Sequence, residues 1–368
     1  MIPLIYAYVS LFVLGLIDCI RGPLYPEITA DFQVSQTIGS LFFASCSAAG
    51  FFGGSFGGKL IHAKQTQHAL KIGTLFMAMA ALIIGLGGSF VAVLCGSFLL
   101  GISFGVLNVV ENVMVNYYSN TKNRSQLMSG LHAMYGLASF AAPVFVNLVA
   151  GQSDNWRTSF LIVAVICFIF LGSIYIFNWK DPAEYLQSQY SKLNFKEYLF
   201  CWMLACYVAV ELLIMTRLPL YLRSVLGLSM VEANNMTTWF FLLLFLGRLL
   251  FALMPIKLFI IYQMMASIFL TVVSIFVGIL VTPWGFVLSG FLLAPFYPMA
   301  MAFAGASFKK NLPKITGFAV TASSVVIVTM HLAAGVLTDW FGIQIAFMMS
   351  ALFGSCSLGL LIWLERHE

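Results

Sequence analysis

The 368 residues are 61% hydrophobic, 15% aromatic and only 8% charged, with a mean hydropathy of +0.98. Soluble domains carry about 25% charged residues, so this composition excludes a water-exposed globule and points to a polytopic membrane protein. The net charge of +5 is dispersed in ones to threes rather than gathered on a basic face, which excludes a nucleic-acid partner, and long unbroken apolar runs exclude a β-barrel.

Twelve spans are predicted, at 3–27, 37–60, 70–88, 91–117, 126–150, 157–178, 197–222, 232–255, 258–281, 284–306, 315–338 and 343–364, each near the ~20 residues that cross a bilayer. The first has no charged region before it and reads as a spanning helix rather than a cleaved signal. It carries Asp18 and Arg21, three apart on one helical face, ahead of Gly22-Pro23-x-x-Pro26. Ionisable groups within spans are costly and usually face a cavity or a partner. The two therefore form either a self-neutralising ion pair or a titratable carboxylate beside a positive group.

Gly50, Gly54 and Gly58 recur every fourth residue in the second span, as do Gly101 and Gly105 in the fourth, a spacing that lets helices approach closely. Glu111 lies roughly 15 Å into the fourth span at 1.5 Å per residue, and Asn108 and Asn112 share its face. It is the strongest proton-carrier candidate, expected in the wall of a central cavity; the alternative is a structural acid held by the two asparagines. His132 and Tyr135 mark the fifth span. The polar stretch Trp179–Lys196 joins the sixth span to the seventh as a linker between two halves, 1–178 and 197–368.

Glu211 and Arg217 in the seventh span are six residues apart, 240° around a helix, and are not an obvious pair. Tyr221 lies one turn beyond Arg217. Trp239 and Gly247-Arg248 belong to the eighth span, and His331 and Asp339 to the eleventh. The seven cysteines form no CxxC and no Cys/His cluster of ligand spacing, so they read as packing residues and no metal or cofactor is implied.

Charge orients the chain. Lys59, Lys64, Lys71, Lys122, Arg124, Lys180, Lys192, Lys196, Lys257, Lys309, Lys310, Lys314 and Arg366 fall on one side, and only Arg157 and Arg223 on the other. By the positive-inside rule both termini are cytoplasmic. Arg21-Gly-Pro-Leu-Tyr-Pro26 is echoed by Arg217-Leu-Pro-Leu-Tyr-Leu222, and Gly130 and Phe160 by Gly317 and Phe347. Such parallel six-helix repeats are an architecture of secondary transporters.

These features resemble the major facilitator superfamily across essentially all twelve spans. After the second span, Gly58-Lys-Leu60-Ile-His62-Ala63 keeps the Gly and Leu of a family motif, with His62 where the family has Asp and Ala63 where it has Arg. Gly247-Arg248 and the ending Gly335-Val-Leu-Thr-Asp339 are similar to recurrent family pieces, which implies gating or structural roles for Gly58, His62, Gly101, Gly105, Gly247, Arg248 and Asp339.

Gly15-x-x-Asp18, Gly101-x-x-x-Gly105-x-x-Asn108-x-x-x-Asn112, Leu131-His132-Ala133-x-Tyr135-Gly136 and Pro219-x-Tyr221 resemble the fucose and glucose/galactose permease branch. The two span acids stand shifted from that branch's positions. The resemblance implies an all-α polytopic membrane protein with twelve transmembrane helices in two pseudo-symmetric six-helix halves. It also implies a proton-coupled secondary transporter, not an enzyme, of a small polar, sugar-like solute. It would work as a monomer in a bacterial inner membrane.

Glu111 and Asp18 are the proton-coupling candidates. Arg21, Asn108, Asn112, His132, Tyr135, Glu211, Arg217, Tyr221, Trp239 and His331 are the solute-binding candidates. Two alternatives stand: a proton antiporter exporting a drug-like compound or siderophore, and a non-transporting membrane receptor or assembly protein.

Overall fold

The computed structural model describes residues 2–119, 124–150, 152–153, 155–179, 192–253, 259–308 and 311–367. Among them, twelve helices are long and apolar enough to cross a membrane. They are α1 (Ile2–Asp31), α2 (Gln36–Ile61), α3 (Gln65–Leu86), α4 (Phe90–Tyr118), α5 (Gly130–Ala150) and α6 (Arg157–Ile174), then α7 (Phe195–Leu226), α8 (Met230–Phe251), α9 (Ile260–Leu280), α10 (Trp284–Ser307), α11 (Gly317–Phe341) and α12 (Ile343–Arg366). The protein is an all-α polytopic membrane protein. Lys122, most of the expected linker, Lys257, Lys309 and Lys310 lie outside the described residues.

The helix ends follow from local chemistry. Ser89 starts α4 by accepting the Ala92 amide at 3.3 Å, which satisfies one of the amide groups left open at a helix start. Asn194 and Glu197 form a reciprocal capping box at the start of α7. Helices α11 and α12 meet at Gly342, whose φ of +84° suits a residue without Cβ.

One junction differs from expectation. Span three was expected to begin at 70 after a short loop, yet helix continues to Gln65, whose φ of 71° and ψ of 165° alone break α2 from α3. The polar run Lys64-Gln65-Thr66-Gln67 is short enough to remain helical on either side of that single residue.

Two compact units emerge. The first comprises Met1–Val34 and Ile38–Tyr185, the second Ser35–Thr37 and Leu186–Glu368. In the first, α1 packs against α4, α5 and α6. In the second, α7 packs against α11, α12 and α8. Each six-helix series thus buries its opening helix against its fifth and sixth. Large apolar side chains such as Phe52, Ile169, Phe269 and Leu352 remain more than half exposed, as a lipid-facing surface requires.

Small residues set the closest approach, but not all of those expected. A Cβ on Gly105 would fall 2.2 Å from the Gly50 carbonyl oxygen and 2.4 Å from the Gly54 nitrogen, and one on Gly101 would fall 2.1 Å from the Cys46 carbonyl oxygen. On α2, Gly50 and Gly54 lie against Gly105, and Gly53 and Gly57 lie against Ile102 and Val106. Gly58, expected in the stripe, has nothing within 4 Å of its Cβ position. Gly50 and Gly54 of the expected stripe face α4 together with Gly53 and Gly57, and only Gly58 is turned away from it.

Candidate functional site

In the first unit, the helix of α1 is interrupted at Ile20, between Asp18 and Arg21. The Asp18 carbonyl accepts Arg21 Nε at 3.2 Å, while Arg21 Nη2 donates to Asp18 Oδ1. The other carboxylate oxygen, Oδ2, accepts the Tyr135 hydroxyl from α5 at 2.6 Å. Arg21 is only 6% exposed, with its guanidinium 5.7 and 5.3 Å from the ring centres of Phe42 and Phe43. Cys19 Sγ lies 3.2 Å from Ser139 Oγ on the same side of α5. The sequence left open whether Asp18 and Arg21 pair; they do, and Tyr135 fixes the pair from a second helix.

Glu111 is fully buried. Its Oε1 accepts the Ser10 hydroxyl of α1 at 2.6 Å, and Oε2 is buried with no hydrogen-bond partner among the described residues. Two expectations are corrected here. The asparagines do not hold the acid: Asn112 Nδ2 donates to the Asn108 carbonyl at 2.7 Å, and Asn116 Nδ2 to the Asn112 carbonyl at 2.9 Å. Residues 108, 112 and 116 form an i, i+4 ladder along one face of α4, whereas Glu111 turns from that face toward α1. Nor does Glu111 line open space; it sits inside the helix packing of its own unit. An uncompensated carboxylate in such a place is expensive.

In the second unit, Glu211 of α7 is gripped from both sides. Arg248 Nη2 of α8 donates to both its oxygens at 2.8 and 3.1 Å, and the Tyr207 hydroxyl donates to Oε2 at 2.5 Å. The Tyr207 ring stacks on Phe296 at 4.3 Å between centres. Its hydroxyl also lies 3.3 Å from the Leu293 carbonyl, at the point where α10 is broken before Pro295. Sequence reasoning assigned Arg248 a gating or structural role and Glu211 a solute contact, without seeing the ion pair. It also missed Tyr207 and Ser10. The i, i+4 spacing of Tyr207 and Glu211 was a usable signal; Ser10 offered none.

The remaining candidates are scattered. Arg217, Tyr221 and His331 are buried, at 0%, 1% and 2% exposure. Tyr221 packs between Phe286 and Phe347, both 4.9 Å away by ring centres, as part of the packing of its unit. Trp239 is half exposed and His132 exposed. Gly247 packs α8 onto α10, since its Cβ would meet Ala294 at 2.5 Å. Asp339 accepts the amides of Gln36 and Thr37 at 2.8 and 2.7 Å, residues that group with its own unit. The side chain of His62 lies outside the described residues. Among the described residues no group of three His, Cys, Asp or Glu could hold a metal ion.

Compared with curated proteins by sequence, the chain finds no match. Solved structures match it closely in fold. The xylose transporter XylE from E. coli, in a partially occluded inward-open conformation, superposes with a TM-score of 0.80 at 12% identity, over 98% of this chain and 96% of that one. A bacterial homologue of the human lysosomal transporter Spinster, inward-facing and unoccupied, gives 0.80 at 12% identity, over 99% and 96%. A peptide transporter in complex with sulfate gives 0.77 at 15% identity, over 99% and 94%. The sequence profile of the Major Facilitator Superfamily matches residues 7–286, and the chain belongs to that superfamily.

Proposed function

We propose that this protein is a proton-coupled secondary active transporter that carries a small polar organic solute into the cell by alternating access. Membership of the superfamily and the likeness to transporters of xylose and peptides support transport itself. The observation that carries proton coupling is Glu111, an acid buried within the first unit with one hydroxyl donor and one unpartnered oxygen. Such a group exchanges its proton when the surrounding helices change their packing. A coupling ion acts only by binding one state better than the other, and Glu111 has the setting for that. Asp18, held by Arg21 and Tyr135, is the second proton-coupling candidate.

The sugar-like solute class rests on the permease-like motifs of the first, fourth, fifth and seventh spans. The thirteen-to-two distribution of Lys and Arg supports cytoplasmic termini in a bacterial inner membrane. Residues 1–178 and 197–368 act as the two halves, joined through 179–196, in a functional monomer.

The test is uptake. Candidate solutes that raise the melting temperature of the purified protein are supplied to proteoliposomes with an imposed inward pH gradient. Accumulation above the equilibrium level, abolished by a protonophore, is expected. Solute movement that ignores the gradient would remove proton coupling, and gradient-driven loss from loaded vesicles would turn the reading to export.

A further inference from the structure

Helix α10 does not run unbroken. It stops after Leu293 and resumes at Phe296, where Pro295 and then Pro298 bring no amide hydrogen to the helix ladder. Neighbouring helices meet the break from three sides. The Ser267 hydroxyl of α9 donates to the Leu292 carbonyl at 2.6 Å. Gly247 of α8 lies so close that a Cβ there would fall 2.5 Å from Ala294 Cβ and 3.1 Å from the Phe291 carbonyl oxygen. Tyr207 of α7 touches both sides of the break. Its ring stacks on Phe296 at an interplanar angle of 8°, and its hydroxyl lies 3.3 Å from the Leu293 carbonyl.

The Tyr207 hydroxyl also has a second acceptor, Glu211 Oε2, at 2.5 Å, and a hydroxyl has only one proton to give. The stacked, fully buried ring fixes the position of the oxygen, so only the O–H bond can turn between the two. Arg248 of α8 donates to both carboxylate oxygens and interacts with Tyr207 as well. Tyr297 of α10 is close enough to feel both charges of the ion pair. Among the described residues, Arg248, Tyr207 and Tyr297 are the charged and titratable groups facing Glu211.

From this geometry we infer that Tyr207 is a coupling residue, a hydrogen-bond switch through which the α7–α8 ion pair acts on the break in α10. While Glu211 carries its charge, the shorter, charge-assisted bond takes the proton, and the Leu293 carbonyl is held only weakly. Neutralising Glu211 turns the switch. A proton on Oε2 makes that oxygen a donor to Tyr207, whose own proton then goes to Leu293 and pins the end of the first α10 segment. The inference rests on the transporter reading for its purpose: it gives the second unit its own response to protonation. It assigns Glu211 to this switch rather than to solute contact.

The test is hydrogen–deuterium exchange on the purified full chain in nanodiscs, read in peptides spanning 288–300. Tyr207→Phe keeps the stack on Phe296 and removes the donor, so this segment should exchange about threefold faster than wild type, or more, for one lost hydrogen bond. Glu211→Gln places an N–H where Oε2 stood and turns the hydroxyl to Leu293, so the segment should exchange about threefold slower. The slowing should vanish in the double variant, which should match Tyr207→Phe. Peptides from α4 and α5 should be unchanged in all three. Should Glu211→Gln fail to fold because Arg248 is stranded, Glu211→Gln with Arg248→Gln takes its place, with the same expectation.

Faster exchange on neutralising Glu211 is what a merely structural ion pair would give, and it overturns the inference. So does a slowing that persists without the Tyr207 hydroxyl, or an α10 segment indifferent to Tyr207→Phe. The measurement needs no solute, which separates it from transport. Gradient-driven uptake by the wild type, with α10 indifferent to these substitutions, keeps the transporter and removes the switch. The expected exchange pattern without any gradient-driven uptake keeps the switch and removes the transporter.

Discussion

Asp18 is the residue whose loss should cost the most. Removing its charge strands Arg21, and breaking one side of a buried ion pair costs about 3–5 kcal/mol. Asp18→Asn is therefore expected to lower the melting temperature sharply, and Asp18→Asn with Arg21→Gln to recover much of the loss, read as a double-mutant cycle on thermal unfolding in nanodiscs. Additive losses would mean that the two side chains do not depend on one another. Ser10→Ala removes the single donor to Glu111 and should cost about 1–3 kcal/mol by leaving both oxygens unsatisfied, unless the acid finds a water.

At this scale the sequence was half legible. Asp18 and Arg21 announce each other through their three-residue spacing on one helix, and Glu111 stands out because an acid in the middle of an apolar run is rare. The pairing of Glu211 with Arg248 and of Glu111 with Ser10 depends on how neighbouring helices are rotated, and no spacing along the chain encodes that.

The helices carry their own information in where they touch. Gly105 lies so close to α2 that an added methyl group would overlap backbone atoms of Gly50, Gly53 and Gly54. Backbone cannot rotate away as a side chain can, so Gly105→Ala should destabilise the protein by about 1–3 kcal/mol through overpacking. Gly58→Ala, with open space around the new methyl group, should leave the melting temperature unchanged or slightly raised, since alanine is the better helix former. Equal effects from the two substitutions would contradict the α2–α4 contact.

The fourth-residue spacing of glycines revealed that close helix contacts exist. It did not reveal which glycines make them, because α2 carries two overlapping series, 50/54/58 and 53/57. Span boundaries were legible wherever charge or proline interrupts hydropathy. They failed at Gln65, where one residue with positive φ does the work of a loop.

Across the whole molecule, composition and hydropathy alone specify twelve spans, since apolar length has few alternatives in a bilayer. Which side each connection occupies is a further expectation, and it is testable. Single cysteines at Gln187 and Asn155, introduced after replacement of the seven native ones, should react with membrane-impermeant maleimide from opposite faces, Gln187 only in inside-out vesicles. Labelling of both from one face would overturn the topology.

The proton remains the centre of the account, and Glu111→Gln isolates it by keeping the shape of the side chain and removing its titration. In proteoliposomes holding the solute found by stabilisation screening, the variant is predicted to lose accumulation driven by a pH gradient while retaining counterflow exchange, which needs no net proton movement. Concentrative uptake by Glu111→Gln at the wild-type level would contradict the claim that this buried acid couples transport to protons.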